Sequence, residues 1–181
     1  MVTLIAGGTH TGKTRLAQRV LEAQHVPYLS LDHLKMGLIR SGMTQLTPCS
    51  SDEALTQLLW PIAVGILCTA VENGQDLVIE GCYIPFDYKR YLPPAVRAQL
   101  QYVCLIFSEA YIRNHLDAIR HHACVIEQRI QPDEIQMDAL IRENAHNLRH
   151  CRALGCHYIW VDTTYDVDVD DLPHPACSRQ R

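Results

Sequence analysis

The sequence has no excess of positive charge: Lys and Arg together number 16 against 20 Asp and Glu, and the formal net charge is −4. A general electrostatic attraction to DNA, RNA or anionic lipid is therefore not expected, and any binding has to come from a local site. Lysine is especially scarce, because Lys13, Lys35 and Lys89 are the only ones in the chain. The position of each lysine is informative for that reason.

Long apolar runs and disulfide patterns are missing as well. The longest apolar stretch, residues 58–71, contains Pro61 and Gly65 and is shorter than the ~20 residues that cross a bilayer. The first residues show no basic segment of a secretory signal. The eight cysteines form no Cys-x-x-Cys pair, which favours reduced thiols over a disulfide framework. These absences predict a cytoplasmic protein that binds neither nucleic acid nor membrane.

What is present is the composition of one globular domain over residues 1–181, with 48% hydrophobic and 20% charged residues. Short apolar segments typical of strands alternate with helical patterns. The predicted strands are 2–6, 28–31, 76–80, 102–107 and 157–161. The predicted helices are 13–24, 32–40, a long one ending near 71, 109 to about 128, and 133 to about 154. This alternation predicts an α/β fold of three layers with a five-stranded parallel sheet.

Two helix starts are predicted from side chains that cap helices. Asp32 stands where an N-cap is expected after the second strand. Ser50 and Glu53 have the spacing of a capping box at the start of the long helix. In a parallel sheet the ligand site lies beyond the carboxyl ends of the strands, so the residues that follow each strand are the candidates for function.

The first of these segments fits the phosphate-loop pattern G-x-x-x-x-G-K-[ST]. It consists of Gly7, Gly8, Thr9, His10, Thr11, Gly12, Lys13 and Thr14, directly after a strand and before a helix. Its amide groups would cradle phosphate oxygens, Lys13 would reach the β- and γ-phosphates, and Thr14 would hold Mg²⁺. A plain glycine turn would need neither the lysine nor the hydroxyl. A dinucleotide fingerprint is excluded, because glycines at 7, 8 and 12 do not satisfy G-x-G-x-x-G.

Together with residues 28–40 and 78–85, the phosphate loop resembles the small-molecule P-loop kinases. More narrowly, the chain is similar to a bacterial group variously called adenylate-kinase-like, zeta-toxin-like or 2-phosphoglycerate-kinase-like. The resemblance covers most of the chain. It implies transfer of the γ-phosphoryl group of ATP, with Mg²⁺, to a small-molecule acceptor. The alternatives are a nucleoside monophosphate kinase and a nucleotide-binding regulatory or toxin-like protein; the acceptor and the oligomeric state are left open.

The resemblance implies roles for residues after the second and third strands. Asp32 would orient the acceptor hydroxyl and take its proton, although it would also serve as a helix cap. Lys35 and Arg40 would bind an anionic acceptor or would be solvated surface charges. Tyr83 would border the acceptor or pack on the surface. Glu80 ends the third predicted strand in the manner of a Walker B carboxylate and would bind Mg²⁺, through water, or the acceptor.

A helical lid over about residues 112–132 is the last implied element. Arg129 matches the group's Ile-Glu-x-Arg pattern and would stabilise charge in the transition state, and Arg120 would contact the nucleotide. Either arginine would otherwise form a surface ion pair. Thr163, after the fifth strand, would lie near adenine by position alone. His146 and His150, at i and i+4, have a spacing that suits a metal but lie on an otherwise ordinary amphipathic helix.

Overall fold

The computed structural model describes residues 1–122 and 136–173. The five strands are β1 Val2–Gly7, β2 Tyr28–Ser30, β3 Leu77–Glu80, β4 Leu100–Phe107 and β5 Tyr158–Val161. The helices are α1 Lys13–Gln24, α2 Leu31–Arg40, α3 Asp52–Glu72, the short α4 Pro94–Arg97, α5 Glu109–His122 and α6 Met137–Leu154. Two 3₁₀ turns, Tyr88–Tyr91 and Val169–Asp171, complete the elements.

The five strands form one parallel sheet in the order β2-β3-β1-β4-β5, which confirms the predicted α/β fold class. Glu80 at the end of β3 lies beside Ile5 of β1 on one side and Ser30 of β2 on the other. The carboxyl ends of β1, β2 and β3 therefore meet at the same edge of the sheet. The segments that follow these three strands are brought together there.

Two hydrophobic clusters bury the two faces of the sheet, because side chains alternate along each strand. Leu4 and Ile106 belong to the cluster that includes α3, and Ile5 and Leu105 to the one that includes α1. All four side chains are fully buried. The six cysteines in the described ranges are free thiols.

Helix α3 is the most apolar helix in the described part of the chain. It runs through Pro61 without ending, and its 21 residues are long and apolar enough to cross a membrane by length and composition alone. Six of its side chains, Leu55, Leu59, Trp60, Ala63, Leu67 and Ala70, are instead buried in the core of the fold. The helix is thus a partly buried core helix.

The structure corrects both predicted helix starts. Helix α2 begins at Leu31, so Ser30 is the N-cap and Asp32 lies inside the first turn. Helix α3 begins at Asp52, and the hydroxyl of Ser51, not of Ser50, accepts a hydrogen bond from the amide of Ala54. Each start is displaced by one or two residues, because local patterns place helix ends less well than helix interiors.

Candidate functional site

The phosphate loop connects β1 to α1 and depends on two glycines. Gly7 has φ +145°, and a Cβ there would lie 2.6 Å from the carbonyl oxygen of Leu105 on the neighbouring strand. Gly12 has φ +86°, and a Cβ there would collide with the hydroxyl of Tyr165. Any larger residue would be strained at either position, both by its φ and by its neighbours. The two glycines therefore fix the shape of the loop.

Lys13 is the first residue of α1 and is buried under the loop. Its Nζ donates to the carbonyl oxygen of Gly8 at 2.6 Å, and the hydroxyl of Thr11 donates to the same oxygen at 2.8 Å. Burial alone would lower the pKa of Lys13, but the neighbouring Cys82 and Glu80 raise it above its usual value. A positive charge is thereby held beneath the loop at neutral pH.

Thr14 and Glu80 lie next to each other beside the loop. The Oγ1 of Thr14 donates to Oε1 of Glu80 at 3.3 Å, and the Glu80 side chain is almost fully buried at the end of β3. A hydroxyl and a carboxylate are oxygen ligands of the kind Mg²⁺ accepts while keeping several waters. The two side chains fit a Mg²⁺ site at the phosphate loop.

Asp32, Lys35 and Tyr83 form a hydrogen-bonded group on the other side of Glu80. The Nζ of Lys35 donates to Oδ1 of Asp32 at 2.5 Å and to the hydroxyl of Tyr83 at 2.9 Å. Burial alone would lower the pKa of Lys35, but these hydrogen bonds raise it above its usual value. The lysine is therefore a charged, buried partner of Asp32 and not a solvated surface charge.

Cys82 lies just after β3, the strand between β1 and β2 in the sheet. Its pKa is raised mainly by burial, while the charge of Lys13 opposes the rise and the carboxylates of Glu143 and Asp32 add to it. The charges of Lys13, Glu143 and Asp32 therefore all act on this thiol.

Of the predicted arginines, Arg40 lies away from this group. Arg40 is the exposed last residue of α2, eight residues beyond Asp32 and therefore about 12 Å along the helix axis. Arg120 lies on α5 with its guanidinium 3.5 Å from the carboxylate of Asp117 on the same helix. Arg129 lies outside the described residues, as does most of the second half of the predicted lid.

The loop after β5 also reaches the phosphate loop, through Tyr165. Its hydroxyl donates to the carbonyl oxygen of Gly12 at 3.3 Å, and the guanidinium of Arg15 lies 5.3 Å from the centre of its ring. Thr163 is exposed two residues earlier in the same loop. The loop after β5 thus contacts the phosphate loop at Gly12.

Sequence reasoning missed Glu143 on α6. Its Oε1 accepts a hydrogen bond from the amide of Thr9 at 2.9 Å, across a separation of 134 residues. No local pattern marks this contact, and the only available signal was an acidic residue on the helix that follows the predicted lid. The ring of His150 stacks on that of Phe86, with 4.9 Å between ring centres, and residues 1–122 and 136–173 contain no group of three or more His, Cys, Asp or Glu that could hold a metal ion.

No protein-family model matches the chain, and no curated protein matches it. Solved structures do match. A kinase candidate from Chloroflexus aurantiacus is 16% identical with a TM-score of 0.56, and the match covers 93% of this chain and 92% of that one. A gluconokinase from Sinorhizobium meliloti is 17% identical with a TM-score of 0.52, over 90% and 82% of the two chains.

A shikimate kinase from Bacteroides thetaiotaomicron is 13% identical with a TM-score of 0.51, over 90% of this chain and 86% of that one. Sequence identities this low establish a shared fold and no more. The chain has the fold of small-molecule P-loop kinases.

Proposed function

We propose that this protein is an ATP-dependent kinase that transfers the γ-phosphoryl group to a hydroxyl of a small molecule. The observation that carries the proposal is the convergence of two groups at one edge of the sheet. Lys13 and Thr14 lie on one side of Glu80, and Asp32 with its partner Lys35 lies on the other. A site that only bound nucleotide would have no need of the second group.

On the nucleotide side, the amides of the loop and the ammonium of Lys13 would bind the β- and γ-phosphates. Thr14 and Glu80 would hold Mg²⁺, directly or through water. When bound, the metal ion would neutralise charge on the phosphate oxygens as the bond to the leaving oxygen breaks. Positioning and charge stabilisation would supply most of the catalysis in such a site.

On the acceptor side, Lys35 holds Oδ1 of Asp32, so that the Oδ2 oxygen of the carboxylate can face a hydroxyl. Asp32 would accept the hydroxyl proton while the acceptor oxygen bonds to the γ-phosphorus. The bond between that phosphorus and the β,γ-bridging oxygen breaks, ADP leaves, and the proton passes from the carboxylate to solvent. The Tyr83 hydroxyl, held by Lys35, would border the acceptor.

Four further residues keep their predicted roles as part of the proposal. Arg129 would stabilise charge on the transferred phosphoryl group, and Arg120 would contact the nucleotide once a lid closes. Thr163 would lie near adenine. Arg40, at the far end of α2, would bind only an acceptor long enough to reach it. We further place the protein in the adenylate-kinase-like, zeta-toxin-like or 2-phosphoglycerate-kinase-like group.

The test is ATP consumption with and without a panel of hydroxyl-bearing metabolites. Gluconate and shikimate belong in the panel, because structural neighbours are named after these acceptors. A kinase consumes ATP much faster with one acceptor and yields its phosphate ester in equal amount. Uniformly slow hydrolysis with every acceptor, at saturating ATP, would favour a nucleotide-binding protein without transferase activity.

A further inference from the structure

The carboxylate of Glu143 lies against the phosphate loop at Gly8 and Thr9. Its Oε1 accepts hydrogen bonds from the amide of Thr9 at 2.9 Å and from the hydroxyl of Thr9 at 3.4 Å. The same carboxyl group lies against Gly8, where an added Cβ would be 3.0 Å from Cδ and 3.1 Å from Oε2. An anion from another part of the chain is thus bound at the loop itself.

The contacts of Glu143 are of the kind a phosphate oxygen would make. Backbone N–H groups of such loops bind anions, and a carboxylate satisfies them with the same charge-assisted hydrogen bonds. Glu143 also affects the pKa of Lys13, which burial lowers and which Cys82, Glu80 and Glu143 raise. The loop is closed on itself, because Lys13 donates to the carbonyl of Gly8.

The backbone that carries Glu143 is held in place by the next residue. The buried Asn144 accepts a hydrogen bond from the amide of Phe107 at 2.8 Å and donates to the carbonyl of Leu140 at 2.9 Å. The bond from Phe107 attaches α6 to the end of β4, and the bond to Leu140 lies within α6. This attachment places Glu143 beside the loop, and rotation of its side chain would move the carboxylate away from the Thr9 amide.

We infer that Glu143 is an internal competitor for the phosphate loop, bound there without nucleotide and displaced when nucleotide phosphate binds. The inference rests on the proposed nucleotide site and goes beyond it. Two anions cannot share the Thr9 amide, so the apparent affinity for nucleotide is reduced by the fraction of molecules in which Glu143 is bound. A residue that merely anchored the loop would not need a charge.

The experiment compares Glu143→Gln with the parent protein by calorimetric titration with Mg²⁺-ATP and, separately, with inorganic tripolyphosphate. Glutamine keeps the size and the acceptor oxygen but loses the charge. A neutral hydrogen bond is weaker than a charge-assisted one, so we expect about five- to tenfold tighter binding of both probes. Asp138→Asn, which neutralises an exposed acid on the same helix, is the matched control and should bind like the parent.

A second variant, Glu143→Asp, keeps the charge but shortens the reach, and it should also bind the probes more tightly than the parent. Glu143→Asp replaces Glu143→Gln in the experiment if the glutamine variant does not fold. If a folded variant binds the probes no more tightly than the parent protein, Glu143 does not compete with nucleotide. The proposed function is then still supported, provided that the parent protein binds Mg²⁺-ATP. Failure of both parent and Glu143→Gln to bind either probe would overturn the competitor and the proposed function together.

Discussion

The pair of Lys35 and Asp32 should be energetically coupled, and a double-mutant cycle measures the coupling. The Lys35 side chain is 11% exposed and that of Asp32 is 29% exposed, so the pair lies between a surface and a buried ion pair. Exposed pairs are worth about 0.2–1 kcal/mol, and breaking a buried pair costs about 3–5 kcal/mol. We expect Lys35→Met to lower the free energy of unfolding by about 1–3 kcal/mol.

The cycle uses Lys35→Met, Asp32→Asn and the double variant, each unfolded with urea and followed by circular dichroism. The expected coupling energy is about 1 kcal/mol, because asparagine still offers Lys35 an oxygen and the cycle measures only the loss of the carboxylate charge. Lys89→Met, which changes an exposed lysine of a 3₁₀ turn, is the control and should change stability by about 0.5 kcal/mol or less. Additivity of the two single changes would refute the coupling.

The same pair predicts a pH dependence. Burial lowers the pKa of Lys35, but its hydrogen bonds to Asp32 and Tyr83 raise it above the ordinary 10.5. A pKa raised by folding gives stability that is fully present below the unfolded value and is lost as pH rises through the folded value. The stability gap between the parent and Lys35→Met should therefore be constant from pH 7 to about 9 and shrink above about 10.5. A gap that narrows already below pH 9 would be inconsistent with a raised pKa.

Three more predictions concern single residues. Lys13→Ala should abolish most of the thermal stabilisation by Mg²⁺-ATP, whereas Lys89→Ala should keep it; equal stabilisation of both variants would mean that the loop does not bind phosphate. Arg129→Ala should reduce turnover with a saturating acceptor more than it reduces ATP affinity, and unchanged turnover would make Arg129 a surface charge. Ser51→Ala should lower the free energy of unfolding by about 0.5–2 kcal/mol and Ser50→Ala by less; the reverse order would contradict the observed helix start.

The fold was predictable because its signals are local. Each strand is a short apolar run bounded by glycine, proline or polar residues, and the predicted limits of α1, residues 13–24, coincide with those of the helix. The phosphate loop is a contiguous pattern with a fixed spacing. The residues that follow the strands could be predicted to lie close together, because parallel strands bring their carboxyl ends to one edge of the sheet.

The contacts that complete the site were not predictable in the same way. Lys35 meets Tyr83 across 48 residues, and Thr9 meets Glu143 across 134. Contacts between residues so far apart in the sequence produce no local pattern from which they could be predicted. The prediction for Lys35 considered an acceptor or solvent as its partner, and the structure adds a hydrogen bond from Lys35 to Asp32.

Asp32→Asn gives the most direct test of phosphoryl transfer. Asparagine keeps the size of the side chain and an oxygen for Lys35 but cannot take a proton, so the variant should fold and bind Mg²⁺-ATP like the parent. Acceptor-dependent formation of the phosphate ester should fall by about 10²- to 10⁴-fold. Asp52→Asn, in the first turn of α3 and outside the site, should keep parental turnover. Near-parental turnover by Asp32→Asn would contradict the proposed role of the carboxylate and leave Glu80 as the next candidate base.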